Sequence, residues 1–486
     1  MTIWTILWSS INLTNFTTSL LCLIIIYLLY TRISYRLPPG PMGWPIFGYT
    51  ACLGHDAFRK IQYLNQIYGD ILSFRLMGKT IIILNSYDMI HEAAVTNRSK
   101  IGRYTMTVND ILAENAGISN YDTQRAMDIR RAFLRHLHDA SKPSDGENGD
   151  KSHLVLPQSY INSEVDRLLK QLRIKQGKPV DVLQLMRRTV WRIIWNFLFE
   201  TKCPLTDKQI DTILEDIALN NTENQLFRIQ QLLPKFWVKL LKKVPVAKTL
   251  FDIDEIISRH KSTRQVIDNN TGDLSNTNSL FGRLINSSNL NLTKNEISRL
   301  SYELMAAGTD TTSLTLTWAC DYLSRTPTNN PLKLDSSVFN MVHRWASVVP
   351  LALPHLVRES FEINGYHIPK SSILIYNLYA VHNIQLKKFG NNEVSSNDQM
   401  KESDMSIPFS LGSRSCPGYP VANQLVEHIL TAINEEFMIQ HAVRSHFETI
   451  SPVNQESLTP FGLTRVPHKS MYIFVTRIND LRRTSI

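Results

Sequence analysis

Residues 409–418 read FSLGSRSCPG, and this short run decides how the rest of the chain is interpreted. Its cysteine, Cys416, stands just before a helical pattern over residues 421–437, so we expect the thiol at a helix N-terminus. Free backbone N–H groups and the positive end of the helix dipole stabilise a thiolate in such a place. A thiolate is a soft, strong donor, which suits a transition metal.

Further positions in this run fit the same interpretation through the spacing F-x-x-G-x-R-x-C-x-G, which begins at Phe409. Gly412 and Gly418 would let the backbone turn tightly beside a flat ligand. Arg414 can pair with a carboxylate of that ligand. A lone cysteine is usually a small, inert, buried side chain, and the complete spacing is what favours a binding loop.

The other cysteines and the charge balance narrow the class of protein. The chain has five scattered cysteines and no C-x-x-C pair, so neither a disulfide framework nor a zinc site is predicted. With 486 residues and 43% hydrophobic content it can bury a large core. The formal charge of +9 suits an anionic membrane face or an acidic protein partner. No Lys/Arg run with interleaved aromatic residues is present, so we expect no nucleic-acid partner.

The N-terminus predicts a membrane anchor. Residues 11–30 contain no charged side chain and end in a strongly apolar run, which is long enough to span a bilayer as a helix. Arg32 and Arg36 follow at once and place that flank on the cytosolic side. A cleaved signal peptide is the alternative, but it requires basic residues before the apolar run and small residues after it. We therefore predict membrane lipids as a partner and an uncleaved single-pass anchor.

The rest of the chain is predicted to be mainly α with a small β part, an α+β fold. Residues 1–31 are predicted to form the lumenal tip and anchor, residues 32–48 a stiff proline-rich hinge, and residues 49–486 one folded domain that contains the cysteine loop. A hairpin is expected over residues 71–84, and helical patterns dominate from about residue 155. Polar loops are predicted at 142–151, 268–278 and 390–406. Residues 226–244 are apolar with a basic edge, so they are either core helices or a surface that dips into lipid.

One long helix is predicted near the middle of the folded part. Thr293 and Glu296 form a capping box at its start, and Pro327 stops it near Arg325. Residues 307–312 inside it read AGTDTT, and glycine and β-branched threonine are poor choices for a helix interior. A hydroxyl that bonds a backbone carbonyl there would open a local groove. The alternative is a simple close approach of another backbone.

Together these features resemble the cytochrome P450 family, and the resemblance extends over nearly the whole chain. It implies the P450 fold with an N-terminal transmembrane helix, haem b as the cofactor and Cys416 as the proximal iron ligand. It also implies that Asp310 and Thr311 relay protons during dioxygen activation. Phe409, Gly412 and the other signature residues of the cysteine loop would contact the haem.

Residues that face the haem propionates are also implied by the resemblance. Residues 344–355 read RWASVVPLALPH and resemble the end of the family's K helix and the strand that follows. By this resemblance His355 and Arg414 face the propionates, and Arg130 does so from the C helix. A lone arginine is more often a solvated surface group, so these positions depend on their order along the chain.

Three features depart from the family pattern. The K helix carries Glu-x-x-Arg in the family, but this chain has Met341 where the acid is expected and Arg344 where the arginine is expected. The C-helix tryptophan is replaced by Ala126, and the segment before the cysteine loop is not recognisable. Two explanations stay open, an incomplete gene product or a diverged member. Arg344 is expected in the core, where losing its partner would cost about 3–5 kcal/mol.

The resemblance implies a monooxygenase that hydroxylates a lipophilic substrate with dioxygen. Electrons would come from NADPH through a reductase, and the protein would lie in the endoplasmic reticulum membrane with a cytosolic catalytic domain. The N-terminal hinge and residues 344–355 resemble the microsomal branch that includes arthropod ecdysteroid hydroxylases, so a sterol or ecdysteroid is the first substrate class to consider. A degenerate, non-catalytic haem-binding relative is the alternative. A thiolate-haem isomerase is disfavoured by the intact Asp310–Thr311 pair.

Overall fold

The structure is a computed structural model of the chain. It describes residues 16–23, 25–26, 36–44, 47–49, 53, 57–113, 116–139, 158–223, 232–233, 238, 240, 253–272, 274, 279–287, 289–325, 328, 330–385, 405–442, 464–465 and 471–477. The loop predicted at 142–151, most of the segment 226–244 and nearly all of the loop predicted at 390–406 lie outside these residues.

The helices, in chain order, are α1 (Ala57–Tyr68), α2 (Tyr87–His91), α3 (Thr107–Ala113), α4 (Gln124–Asp139), α5 (Gln158–Ile174), α6 (Val182–Phe199), α7 (Asp207–Glu223), α8 (Ile253–Thr271), α9 (Leu280–Ile285), α10 (Lys294–Ser324), α11 (Ser336–Ala346), α12 (Leu378–Ala380) and α13 (Tyr419–Glu436). The strands are β1 (Ile71–Leu76), β2 (Lys79–Leu84), β3 (Ile101–Arg103), β4 (Pro179–Asp181), β5 (His355–Val357), β6 (Phe361–Ile363), β7 (Tyr366–Ile368), β8 (Ile373–Tyr376), β9 (Phe437–His441) and β10 (Met471–Thr476). The fold is therefore mainly helical with small sheets, as predicted.

The chain divides into two compact units. The first is discontinuous, with Met1–Gly102 and Pro354–Asn377, and the second holds Arg103–Leu353 and Leu378–Ile486. The sequence predicts one domain from residue 49, and that boundary falls inside the first unit.

A five-stranded sheet in the order β1-β2-β8-β5-β3 organises the first unit, and β3 ends at the unit boundary. The hairpin predicted over residues 71–84 is confirmed, because β1 and β2 pair antiparallel with Ile71 opposite Leu84. Strand β8 adds to β2 in parallel, and β5 pairs antiparallel with β8. Strand β2 and its two neighbours, β1 and β8, are almost wholly buried, which explains their continuous apolar sequences.

The described part of the proline-rich segment lies along the edge strand β1 rather than standing free as a spacer. The N–H of Ser73 donates to the Pro39 carbonyl at 2.7 Å, and the N–H of Tyr49 donates to the Arg75 carbonyl at 2.7 Å. Gly48 has φ +64°, and a Cβ there would lie 2.0 Å from the Arg75 carbonyl oxygen. Glycine is therefore required where this segment meets the strand.

Helix α10 is the central element of the second unit and packs chiefly on α6. Its capping box is confirmed, since Thr293 accepts from the N–H of Glu296 and the Glu296 side chain accepts from the N–H of Thr293. Its 31 residues end at the C-cap Arg325, as the sequence predicts. The loop predicted from residue 268 begins later, because α8 continues to Thr271. A second sheet, β4-β10-β9, closes the core beside α13.

The predicted anchor is only partly described. Residues 16–23 and 25–26 are helical, and their side chains are exposed. Among the residues that the structure describes, no helix is both long and apolar enough to cross a bilayer.

Candidate active site

The cysteine loop is a tight turn closed by backbone hydrogen bonds. The N–H of Cys416 donates to the Phe409 carbonyl at 2.9 Å, and the N–H of Ser415 donates to the Gly412 carbonyl at 3.1 Å. Gly412 has φ +74°, so the turn expected there requires glycine. Gly418 has an ordinary φ of −84°, and a Cβ there would lie 3.8 Å from the Cys416 sulfur, an ordinary contact. The protein alone therefore places no steric demand on Gly418.

The Cys416 thiol stands at the start of α13, as predicted. Burial raises its pKa, while the backbone N–H groups of Gly418 and Tyr419 and the charge of Arg130 act in the opposite direction. The side chain is nevertheless accessible to solvent. A bound metal ion would supply the positive charge that a thiolate needs there.

Two arginines bring positive charge to the cysteine loop. Arg130 on α4 donates from Nη2 to the Ser415 carbonyl, and Arg414 donates from Nη2 to Asp122. Burial, together with the charge of Arg414, lowers the pKa of Arg130. Among the described residues, Arg130 Nε and Arg414 Nη1 are buried without a protein acceptor. Burying such donors is unfavourable unless an acceptor arrives.

These features fit a flat, anionic iron group such as haem. An accessible thiol at a helix N-terminus can ligate the metal, and the spare N–H groups of Arg130 and Arg414 can donate to carboxylates beside it. Ala126, at the position where the family pattern has tryptophan, is buried against Tyr121. That side of α4 therefore offers no indole donor.

The AGTDTT run gives α10 an open patch in an otherwise buried helix. Ala307 is exposed and Gly308 and Thr311 are half-buried, although most neighbouring residues of α10 are buried. Thr311 donates its hydroxyl to the Ala307 carbonyl at 2.8 Å. Ala307 and Thr311 are one turn apart, so they share one helix face. The hydroxyl-to-carbonyl hydrogen bond that the sequence predicts is therefore present, and the groove itself stays a prediction.

Asp310 points to the other side of α10 and is buried. Its Oδ1 lies 2.6 Å from Nη2 of Arg187 on α6. Its Oδ2 lies 3.5 Å from the hydroxyl of Thr464. Asp310 and Thr311 are thus neighbours in sequence with different surroundings. The sequence analysis missed Arg187, because nothing local to α6 distinguishes it from other amphipathic arginines.

A second buried acid on α10, Glu303, was also missed. It accepts from the N–H of Ile118 at 2.9 Å and from the hydroxyl of Ser119 at 2.5 Å. Gly117 has φ +117°, and a Cβ there would lie 2.8 Å from Glu303 Oε1. Arg299, one turn earlier on α10, has Nη2 at 3.8 Å from the same oxygen. Glu303 thereby fastens the loop before α4 to the central helix.

The remaining predicted residues have mixed outcomes. His355 belongs to the first unit, where it is buried on β5 and its ring stacks on Tyr376 with centroids 4.3 Å apart. Its role beside the haem stays a prediction. The prediction that Arg344 lies in the core is wrong, because Arg344 is only half-buried and Met341 is 44% exposed. The buried face of α11 carries Val342, His343 and Ala346 instead.

Comparison with known proteins establishes the family. The family model described as Cytochrome P450 matches residues 38–330 and 336–462. The chain therefore belongs to the cytochrome P450 family of haem-binding monooxygenases, and it is an enzyme of that class.

The similar proteins are distant relatives, and their similarity extends over most of the chain. It is 26% identical to Cytochrome P450 2H1 of Gallus gallus, over 89% of this chain and 93% of the relative. It is 25% identical to Cytochrome P450 2H2 of the same organism, over 86% and 90%. It is 23% identical to Cytochrome P450 2C20 of Macaca fascicularis, over 87% and 93%.

Proposed function

We propose that this protein binds haem b through Cys416 and hydroxylates a lipophilic substrate. The observation that carries the proposal is the pair of buried guanidinium groups with spare donors beside an accessible thiol. Haem held there supplies the activation of dioxygen, with one oxygen atom entering the substrate and the other leaving as water. Arg130 and Arg414 would hold the propionates.

The cysteine loop would hold the Cys416 sulfur in one orientation. The N–H of Cys416 is tied to Phe409, and the N–H groups of Gly418 and Tyr419 point to the sulfur. Hydrogen bonds to a thiolate delocalise its charge and moderate its donor strength. Phe409 packs edge-on against Tyr419 with ring centroids 4.8 Å apart, which braces the aromatic side chain of the loop.

Proton delivery would use Asp310 and Thr311 in sequence. The Thr311 hydroxyl donates to the Ala307 carbonyl, and its oxygen can still accept a hydrogen bond from a donor in the groove. Asp310 is held by Arg187, whose Nη2 lies 2.6 Å from its Oδ1. To deliver a proton, Asp310 would take one up from solvent and turn away from Arg187 toward the groove, so this ion pair would control the step.

The substrate class, the electron donor and the location belong to the same proposal. A sterol or ecdysteroid is the first candidate, because the sequences of residues 344–355 and of the hinge resemble the branch that includes arthropod ecdysteroid hydroxylases. General lipophilic or xenobiotic oxidation is the second candidate. An NADPH-dependent reductase would supply two electrons for each turnover. Residues 11–30 would anchor the protein in the endoplasmic reticulum membrane with the catalytic domain in the cytosol.

Turnover with labelled oxygen tests the proposed reaction. Reconstituted with NADPH and a P450 reductase, the enzyme should convert one member of a panel of sterols, ecdysteroid precursors and lipophilic xenobiotics. The product should carry one oxygen atom from ¹⁸O₂. A protein that binds haem through a thiolate but leaves the whole panel unchanged would support the alternative, a non-catalytic relative.

Carbonate extraction tests the proposed location. Intact protein should remain with microsomal membranes, and deletion of residues 1–31 should weaken that attachment. Attachment would persist in part if residues 226–244 also contact lipid. Recovery of the full-length chain in the soluble fraction would contradict the anchor.

A further inference from the structure

Two buried histidines flank the segment that leads into the cysteine loop. His343 lies on the buried face of α11, and His382 lies in the helical turn Val381–Gln385 that follows α12. Both side chains are more than nine-tenths buried. A buried imidazole is unfavourable unless its ring nitrogens have partners or its faces are well packed, so their contacts indicate what they do.

His382 uses both of its ring nitrogens. The N–H of Ile407 donates to Nε2 at 3.1 Å, which makes Nε2 the acceptor and places the proton on Nδ1. Nδ1 lies 2.9 Å from the hydroxyl oxygen of Ser347 and donates to it. The Ser347 hydroxyl in turn donates to the Arg344 carbonyl at 2.8 Å. Burial, assisted by the charge of Arg344, lowers the pKa of His382 to about 3, so the ring stays neutral in this role.

The residue that His382 holds is the start of the cysteine loop. The Ile407 carbonyl accepts from the N–H of Ser410 at 3.0 Å, and two residues after Ile407 the Phe409 carbonyl accepts from the N–H of Cys416. The Phe409 ring meets the ring of His343 nearly edge-on, with centroids 5.2 Å apart. One histidine therefore fixes the backbone of this segment, and the other packs its aromatic side chain.

We propose that His382 and His343 position the Cys416 loop against the end of α11. Met341, at the place where the family pattern has an acid, cannot accept a hydrogen bond of useful strength and points largely to solvent. The two histidines supply a neutral connection between α11 and the loop in this chain. The proposal rests on the assignment of Cys416 as the haem ligand, because only that assignment gives the loop position a chemical consequence.

Replacing His382 tests the proposal with two independent readouts. The first is amide hydrogen exchange over residues 405–418, which does not depend on haem ligation. The second is the rate at which the ferrous carbon monoxide complex, at matched haem content, loses its thiolate-type Soret band. His382→Leu should accelerate both by about ten-fold, the effect of leaving one buried N–H unpaired.

Two further variants separate positioning from general destabilisation. In His382→Gln the amide can accept from Ile407 and donate to Ser347, so both rates should return to within about three-fold of wild type. His260→Leu is the matched control, since His260 is an equally buried histidine on α8 bonded to Arg299. It should leave exchange over residues 405–418 unchanged.

The outcomes separate this proposal from the assignment of the ligand. Unchanged exchange in His382→Leu, or equal effects of Leu and Gln at this position, overturns the positioning role. If the wild-type protein lacks the thiolate band and His382→Leu still exchanges faster over residues 405–418, the ligand assignment is overturned. The histidine connection between α11 and the loop is then supported. If His382→Leu does not fold, Ser347→Ala takes its place, and exchange over residues 405–418 that matches wild type then overturns the proposal.

Discussion

Two polar regions of the second unit differ in the balance between their carboxylates and guanidinium groups. At Asp310 one carboxylate meets one guanidinium, that of Arg187, and the pair is closed. At the cysteine loop Arg130 and Arg414 have one carboxylate between them, Asp122, and keep buried donors without a protein acceptor among the described residues. In the closed pair the two charges balance, although Arg187 Nε, among the described residues, is also buried without a protein acceptor, whereas the open pair carries a net positive charge that favours an anion. We therefore expect the anionic cofactor on the side of the open pair.

The largest expected effect comes from breaking the closed pair. Asp310→Asn leaves the half-buried Arg187 without its counter-charge at a buried position of α10 and should lower the free energy of unfolding by up to about 3–5 kcal/mol. Urea unfolding monitored by circular dichroism measures this loss. The double variant Asp310→Asn/Arg187→Gln removes the stranded charge and should recover part of it. Equal losses in the single and double variants would contradict the closed pair.

The open pair should affect cofactor binding more than folding. Arg130→Leu or Arg414→Leu removes a charge-assisted hydrogen bond to a carboxylate, worth about 1.5–3 kcal/mol, and should weaken haem affinity by roughly ten- to a hundred-fold. Haem transfer to apomyoglobin measures the affinity. Arg125→Leu is the control on the same helix, because Arg125 pairs with Glu296 near the surface. Equal haem affinity in all three variants would contradict a specific role of Arg130 and Arg414 in binding the cofactor.

Buried neutral histidines predict that acid weakens the fold. Burial, with the charge of Arg299 next, lowers the pKa of His260 to about 2, from about 6.5 in the unfolded chain. The unfolded state therefore takes up the proton first, and stability falls as pH decreases below about 6.5, by about 1.4 kcal/mol per pH unit. Between pH 6.5 and 5.5, His260→Leu should lose less stability than wild type by about 1 kcal/mol, because the unfolded-state histidine is already half protonated at pH 6.5. An identical pH dependence would contradict it.

The smallest effect is expected at Met341. Because this side chain is 44% exposed, a glutamate there would stand in water and gain little from Arg344. Met341→Glu should change the free energy of unfolding by less than about 0.5 kcal/mol. Thermal unfolding of the purified variant measures this. A gain of several degrees in the unfolding midpoint would mean that the absence of the family's acid destabilises this chain.

Features that depend on neighbouring residues were predictable from the sequence. The capping box of α10 and the hairpin of β1 and β2 are set by residues a few positions apart, and both are confirmed. The turn at Gly412 and the placement of Cys416 at a helix start follow from the same kind of local signal.

Features that depend on distant polar partners were not predictable. Arg187 and Asp310 are separated by 123 residues, and Glu303 meets Ser119 across 184 residues. No local pattern marks such pairs, because any surface arginine or glutamate has the same sequence signature. The exposure of Met341 was missed for a related reason, since the family pattern fixes an identity but not the face that this α11 buries.

The reduced carbon monoxide difference spectrum of wild type beside Cys416→Ala tests the central claim most directly. Wild type should show the thiolate-type Soret band if the sulfur at the start of α13 ligates the iron, as proposed. Cys416→Ala should lose that band completely while its fold, judged by circular dichroism, is retained. A thiolate-type band that persists in Cys416→Ala would contradict the assignment of this cysteine and the site built around it.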